Sequence, residues 1–205
     1  GIVDALDATD YVLVAFDYGI PENDELDHVA RPVLEHLVES GASISIASTR
    51  PDGMPVAAAL MSDIAESRDD YTRLGYRPGG GMAVSQLLGG EEELPSLLLV
   101  VTGRPGPLVR WVEQAEARYG SDVPVAAVGS ALLEPVVSPY VDTNAGQLEA
   151  AIHGLRGAAS YEAIREAEGE ATEHLDTLAA GHIAIAALLL AGAGVYGLGA
   201  AGRRH

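Results

Sequence analysis

Three equally spaced arginines are the residues of this chain best suited to hold a ligand. Arg50, Arg77 and Arg104 stand 27 residues apart, each followed by Pro and, within two further residues, by Gly. A guanidinium is a permanent cation whose planar fork of donors matches a phosphate or a carboxylate. Gathered beside the amides of Gly79, Gly80 and Gly81 at a helix start, the three would form an anion site. The competing reading is structural. Pro suits the first turn of a helix, and each Arg has an acid within reach of a local ion pair, such as Asp17, Glu22, Asp24 or Asp52.

Asp17 closes an apolar run and is followed by Glu22, Asp24, Asp27 and His28. Carboxylates clustered this way can hold Mg or Ca, which makes Asp17 and Asp24 the candidate metal ligands. Acidic residues at a helix start also complement its dipole, without any metal. No catalytic set is legible. Ser130 lacks the flanking glycines of a nucleophile elbow, since Val128 and Leu132 occupy those places. His36 and His153 fall within predicted helices with no second His at ligand spacing, and read as surface residues. Neither a Walker loop nor a dinucleotide fingerprint follows the first apolar run, so no cofactor is expected.

The elements that position these residues alternate. A continuous apolar run at 11–16 and the stronger one at 97–102 predict strands, and further strands are predicted at 43–48, 71–76 and 123–128. Helical patterns fill the intervals, with a one-sided stripe at Leu26, Val29, Ala30, Val33, Leu34, Leu37 and Val38. Such alternation predicts an α/β fold, a three-layer doubly wound domain on a mainly parallel sheet of about five strands. The Arg-Pro junctions would then line the carboxyl edge of the sheet, where ligands of open α/β sheets bind. Beyond Ser130 the strand signal fades, and Leu148, Ala151, Ile152 and Leu155 predict one helix over 147–167.

Composition narrows the partners. Thirty acidic residues against 12 basic ones give a net charge of −18, and all 12 are Arg. Nucleic acid is therefore not an expected partner, because duplex binding needs a basic footprint. The absence of Cys excludes disulfides and thiolate metal sites.

Residues 183–201 form a charge-free apolar run ahead of Arg203 and Arg204. As a helix it spans about 28 Å, close to the hydrocarbon thickness of a bilayer. We expect a Rossmann-like domain over 1–162, an acidic helical connector over 163–181, one transmembrane helix over 182–202 and a short basic tail over 203–205. The positive-inside rule places the tail in the cytoplasm and the acidic domain outside, as a single-pass protein of the cell membrane. This topology calls for an export signal or an anchor upstream of Gly1. Ala193, Gly197 and Ala201 recur every four positions and offer a face for close helix packing. The expected partners are the lipid bilayer and other membrane protein subunits, with a small anionic ligand if the Arg site is real.

Several short motifs resemble an uncharacterised bacterial family of membrane-anchored Rossmann-like α/β proteins. They are Val12 to Tyr18, Gly75 to Gly80, Trp111 to Gln114, Glu134-Pro135 with Pro139-Tyr140, Gly146 to Leu148, and Gly157 to Glu162. The resemblance implies an anchored α/β domain with no established activity, and its pattern does not require Arg at position 77. Together these readings predict a membrane-anchored α/β interaction module, an accessory subunit of a larger assembly. The alternative is a ligand-binding or hydrolytic domain with an anion site at the carboxyl edge.

Overall fold

The computed structural model describes residues 1–65, 67, 70–90, 93–141, 146–167 and 169–202, the last thirteen as backbone only. Its core is a six-stranded parallel sheet in the order β3-β2-β1-β4-β5-β6. The strands are β1 (Tyr11–Phe16), β2 (Ser43–Ser48), β3 (Tyr71–Tyr76), β4 (Leu97–Thr102), β5 (Val125–Gly129) and β6 (Ala150–His153). β1 and β4 lie in the middle and are buried along their whole length. A strand covered on both faces cannot alternate polar and apolar residues, which is why both read as unbroken apolar runs.

Seven helices complete the described chain: α1 (Asn23–Ser40), α2 (Gly53–Ile64), α3 (Gly81–Gly89), α4 (Pro105–Tyr119), α5 (Glu134–Val141), α6 (Gly154–Ile164) and α7 (Glu170–Gly202). Helices α1, α2 and α6 cover the face carrying Val12, Val14, Ile44, Leu99 and Val128. Helices α3, α4 and α5 cover the opposite face, with Leu13, Leu98, Val100 and Ala127. The layers are therefore helix, sheet, helix, and the chain changes side between β1 and β4. The stripe predicted for α1 is the stripe it buries, with Leu26, Val29, Ala30, Leu34 and Leu37 all inaccessible. Each such side chain contributes about 1.5–3 kcal/mol relative to exposure. Gly41 ends the helix at φ 76°, a left-handed conformation that glycine adopts without a Cβ penalty.

Two expectations need correction. The sheet has six strands where five were expected. Ala150–His153 pairs with β5 in parallel register, Ala126 opposite Ala150 and Gly129 opposite His153. The helical spacing over 147–167 conceals a boundary at Gly154, whose φ of 59° turns the chain out of the strand and into α6. His153 consequently ends a strand and lies outside any helix. The second correction concerns the C-terminus. The connector from Glu170 onward and the apolar run are one continuous helix of 33 residues, about 50 Å long, while residues 163 and 164 of the expected connector belong to α6. Among the described residues no helix is long and apolar enough to cross a membrane. Ala193, Gly197 and Ala201 lie where only the backbone is described, and Arg203, Arg204 and His205 lie outside the described residues.

Tight packing at the end of β5 gives a direct test of the topology. A Cβ on Gly129 would sit 2.4 Å from the carbonyl oxygen of Thr102 on the neighbouring strand. Backbone cannot yield as a side chain does, so Gly129→Ala should lower unfolding free energy by about 2 kcal/mol, read as an earlier urea midpoint at unchanged slope.

Candidate functional site

The carboxyl edge of the sheet is where the Arg-Pro junctions and Asp17 meet. Asp17 follows the last residue of β1 and is completely buried. Its Oδ1 accepts the Thr49 backbone N–H at 2.7 Å and the Ser48 hydroxyl at 3.3 Å. Its Oδ2 accepts the Thr49 hydroxyl and the Trp111 indole N–H, both at 2.7 Å. One carboxylate thus fastens the loop after β2 and helix α4 to the end of β1. Both oxygens are engaged by protein donors, so Asp17 is a structural anchor rather than the metal ligand expected. Among the described residues no three His, Asp or Glu side chains converge on a point that could hold a cation, and Asp24 belongs to the first turn of α1.

The arginines divide. Arg50 forms a two-pronged pair with Asp52, Nε to Oδ1 at 3.1 Å and Nη2 to Oδ2 at 3.0 Å. The Arg50 guanidinium holds Asp52 below the usual carboxylate range, and Asp52 raises Arg50 in turn. Arg104 crosses the switch between β1 and β4 to donate from Nε to Glu22 at 2.7 Å. Glu22 also receives the Gly19 N–H at 3.1 Å. A Cβ at Gly19 would come 1.9 Å from the Asp52 carboxylate, so a side chain there would displace the Arg50–Asp52 pair. Arg77 stands apart after the edge strand β3, with an exposed side chain and, among the described residues, no ion pair. The structure therefore brings two of the three arginines into one neighbourhood and pairs both with acids.

The acids also set the charge at the mouth of the crevice. In a doubly wound domain the switch point, at the start of the helix after β1, is the usual phosphate position. Here Glu22 precedes α1 and Asp24 and Glu25 occupy its first turn, so the site presents negative charge to an incoming anion. Gly79 and Gly80 adopt positive φ at the entry to α3, and the loop that carries them begins with the Arg77 N–H donating to the Ser48 carbonyl at 2.9 Å. Ser130 donates its hydroxyl to the Gly103 carbonyl at 3.2 Å, tying together the loops after β4 and β5.

Two further clusters escaped the sequence reading. On α6, Glu162 is 2% exposed, and its carboxylate accepts the N–H groups of Ala171 at 3.0 Å and Thr172 at 2.9 Å, plus the Thr172 hydroxyl at 2.6 Å. It caps the N-terminus of α7, satisfying donors that a helix start leaves open. Alongside, Glu170 of α7 lies 3.2 Å from Arg31 and 3.1 Å from His28, and the His28 ring packs on His174 at 3.9 Å. The second cluster joins α1 and α6. His36 Nδ1 lies 2.7 Å from the Tyr161 hydroxyl, and its Nε2 lies 3.4 Å from Asp4. His36 is thus largely buried rather than the plain surface residue expected. The separation of His36 from Tyr161 along the chain explains why no local pattern showed the pair.

No protein-family model and no curated protein matches the chain. Among solved structures, the crystal structure of TcCGT1 in complex with UDP is similar at a TM-score of 0.38 and 12% identity. The likeness covers 64% of this chain and 31% of that one, so the chain spans about a third of its length.

Proposed function

We propose that the chain is a membrane-tethered α/β interaction module, acting as an accessory subunit of a larger membrane assembly. One observation carries this reading. Past the joint with α6, helix α7 leaves the domain and presents Ile183, Ile185, Leu188 and Leu189 to solvent at 70%, 58%, 73% and 69% exposure. At about 100° per residue these four spread over more than half of the helix circumference. A helical segment that is apolar all round and exposed over 183–189 needs another apolar medium. The bilayer would supply it, and the charge-free run from 183 to 201 would extend about 28 Å as a continuous helix. The basic residues after the run orient the acidic domain outside and the C-terminus in the cytoplasm, and Ala193, Gly197 and Ala201 would form the face for a partner helix.

The pairing of Arg50 with Asp52 and of Arg104 with Glu22 also supports an interaction module over the alternative of an anion site at the carboxyl edge. Flotation with uncharged phosphatidylcholine vesicles tests the tether without electrostatic attraction. The full chain should float almost completely and resist extraction at high pH, whereas a chain ending at Gly181 should stay in the dense fraction. A full chain that remains dense would sink the proposal.

A further inference from the structure

The sheet face covered by α1 and α6 is incompletely filled. A cavity of about 350 Å³ lies there, walled by Val33, Leu97, Leu99, Ala126, Val128 and Ile152. Its origin is in the sequence: β5 and β6 place Ala126 and Ala150 on this face, where β1 and β2 place Val12 and Ile44. Alanines leave volume that the covering helices do not enter. Protein interiors hold few voids larger than a water molecule, so one of this size stands out. A dry apolar cavity of about 150 Å³ accepts benzene, and by proportion this one accommodates about a dozen heavy atoms.

The mouth is polar and has a definite hydrogen-bond sense. Tyr161, His36, Asp4 and Arg165 border it, with the exposed Ile164 as an apolar lip. Burial, reinforced by Arg165, lowers the His36 pKa, which keeps the imidazole neutral at neutral pH. Asp4 beside Nε2 favours the proton on that nitrogen, leaving Nδ1 to accept from the Tyr161 hydroxyl. Burial pushes the Tyr161 hydroxyl up to about 12, so it stays protonated. Its own proton is committed to His36, and its oxygen is left as an acceptor. Arg165 is matched by Glu39, and Asp4 is matched by the Gly1 amino group. An anionic head group therefore finds no free cation there.

We propose that this cavity binds a small uncharged amphiphile, an apolar body of about a dozen heavy atoms ending in a hydroxyl that donates to Tyr161. The inference concerns the α/β domain alone and stands whether or not α7 enters a bilayer. Naphthol is a suitable probe, titrated into the isotopically labelled full chain, in lipid nanodiscs where the chain floats with vesicles and in aqueous buffer where it stays dense, while methyl resonances are followed by NMR. The Ile152 and Val128 methyls should shift saturably, and Leu13 and Val100 on the opposite face should not. Tyr161→Phe keeps the packing and removes the acceptor, and should weaken the midpoint about tenfold. Ala126→Phe fills the cavity and should abolish the saturable shift. Where Ala126→Phe does not fold, the comparison of wild type with Tyr161→Phe decides alone. Shifts that never saturate, or equal midpoints in wild type and Tyr161→Phe, overturn the proposal.

Discussion

Replacing Asp17 with alanine should lower the unfolding free energy by about 4 kcal/mol, a large part of the 5–15 kcal/mol that holds a domain of this kind together. The estimate starts from the donors. Without the carboxylate, the Thr49 N–H, the Thr49 hydroxyl and the Trp111 indole N–H lose their acceptor, the indole in full burial and Thr49 in partial burial. Each orphaned donor costs about 1–3 kcal/mol, and because the three share one acceptor their costs do not simply add. Asp17→Asn should cost less, about 2 kcal/mol, since the amide keeps one acceptor oxygen but sets its own N–H₂ against a donor. Urea denaturation ranks the three proteins. The chain contains a single Trp, so intrinsic emission reports on this knot directly. A red shift of that emission in Asp17→Ala before global unfolding is expected. An Asp17→Ala stability within about 1 kcal/mol of wild type would contradict the assignment.

Asp17 also shows where the sequence is informative and where it falls silent. That an acidic residue closes β1 is plain from the run Tyr11 to Phe16, and so is its place at the carboxyl edge. Its role depends on Trp111, 94 positions away, and no local pattern distinguishes a metal ligand from a buried anchor. The five longer strands were legible because burial on both faces, or alternation at an edge, writes itself into five or six consecutive residues. The sixth was not, because β6 has four residues, two of them Ala, and its stripe of apolar residues runs on into α6. Gly154, Gly157 and Gly169 all read as possible breaks in the helical stretch that starts at 147, and it is Gly154, at positive φ, that separates strand from helix. Among the arginines, the Arg50 partner stands two residues downstream and was visible as a candidate. The Glu22 partner of Arg104 requires the strand order, which joins β1 to β4. The cavity depends on which face each Ala occupies once β6 is in place, and so it follows from the same missed strand.

Loss of the Glu162 carboxylate should loosen the hold of the domain on α7 while leaving the sheet intact. Glu162→Ala removes the acceptor for two backbone N–H groups and one hydroxyl at the start of a helix. Removing an N-cap costs about 1 kcal/mol, and the buried donors left behind raise the total to about 2–3 kcal/mol. Gly169 explains why the contact is so close. A Cβ there would meet Glu162 Oε1 at 2.3 Å, so the turn before α7 has room for the carboxylate only because it is glycine. Among the described residues the joint is also held by the pairs of Glu170 with Arg31 and His28, by the His28 ring on His174, and by Ala171, which is buried in the core. The Glu170 side chain of these pairs is half exposed, so solvent screens them and they contribute less than the cap. Trypsin provides the readout, because Arg165 lies between Glu162 and α7. Cleavage through local opening scales with the opening free energy, and 2 kcal/mol corresponds to about thirtyfold. Cutting after Arg165, followed by mass spectrometry of the fragment beginning at Glu166, should therefore accelerate about thirtyfold in Glu162→Ala and severalfold in Glu162→Gln, which keeps one acceptor oxygen. Equal rates in Glu162→Ala and wild type would show that the joint is held elsewhere. For a domain standing on one helix, a rigid joint fixes its orientation relative to whatever the helix enters. A variant that floats with vesicles as wild type does, yet is cut rapidly at Arg165, would separate the tether from the joint that aims it.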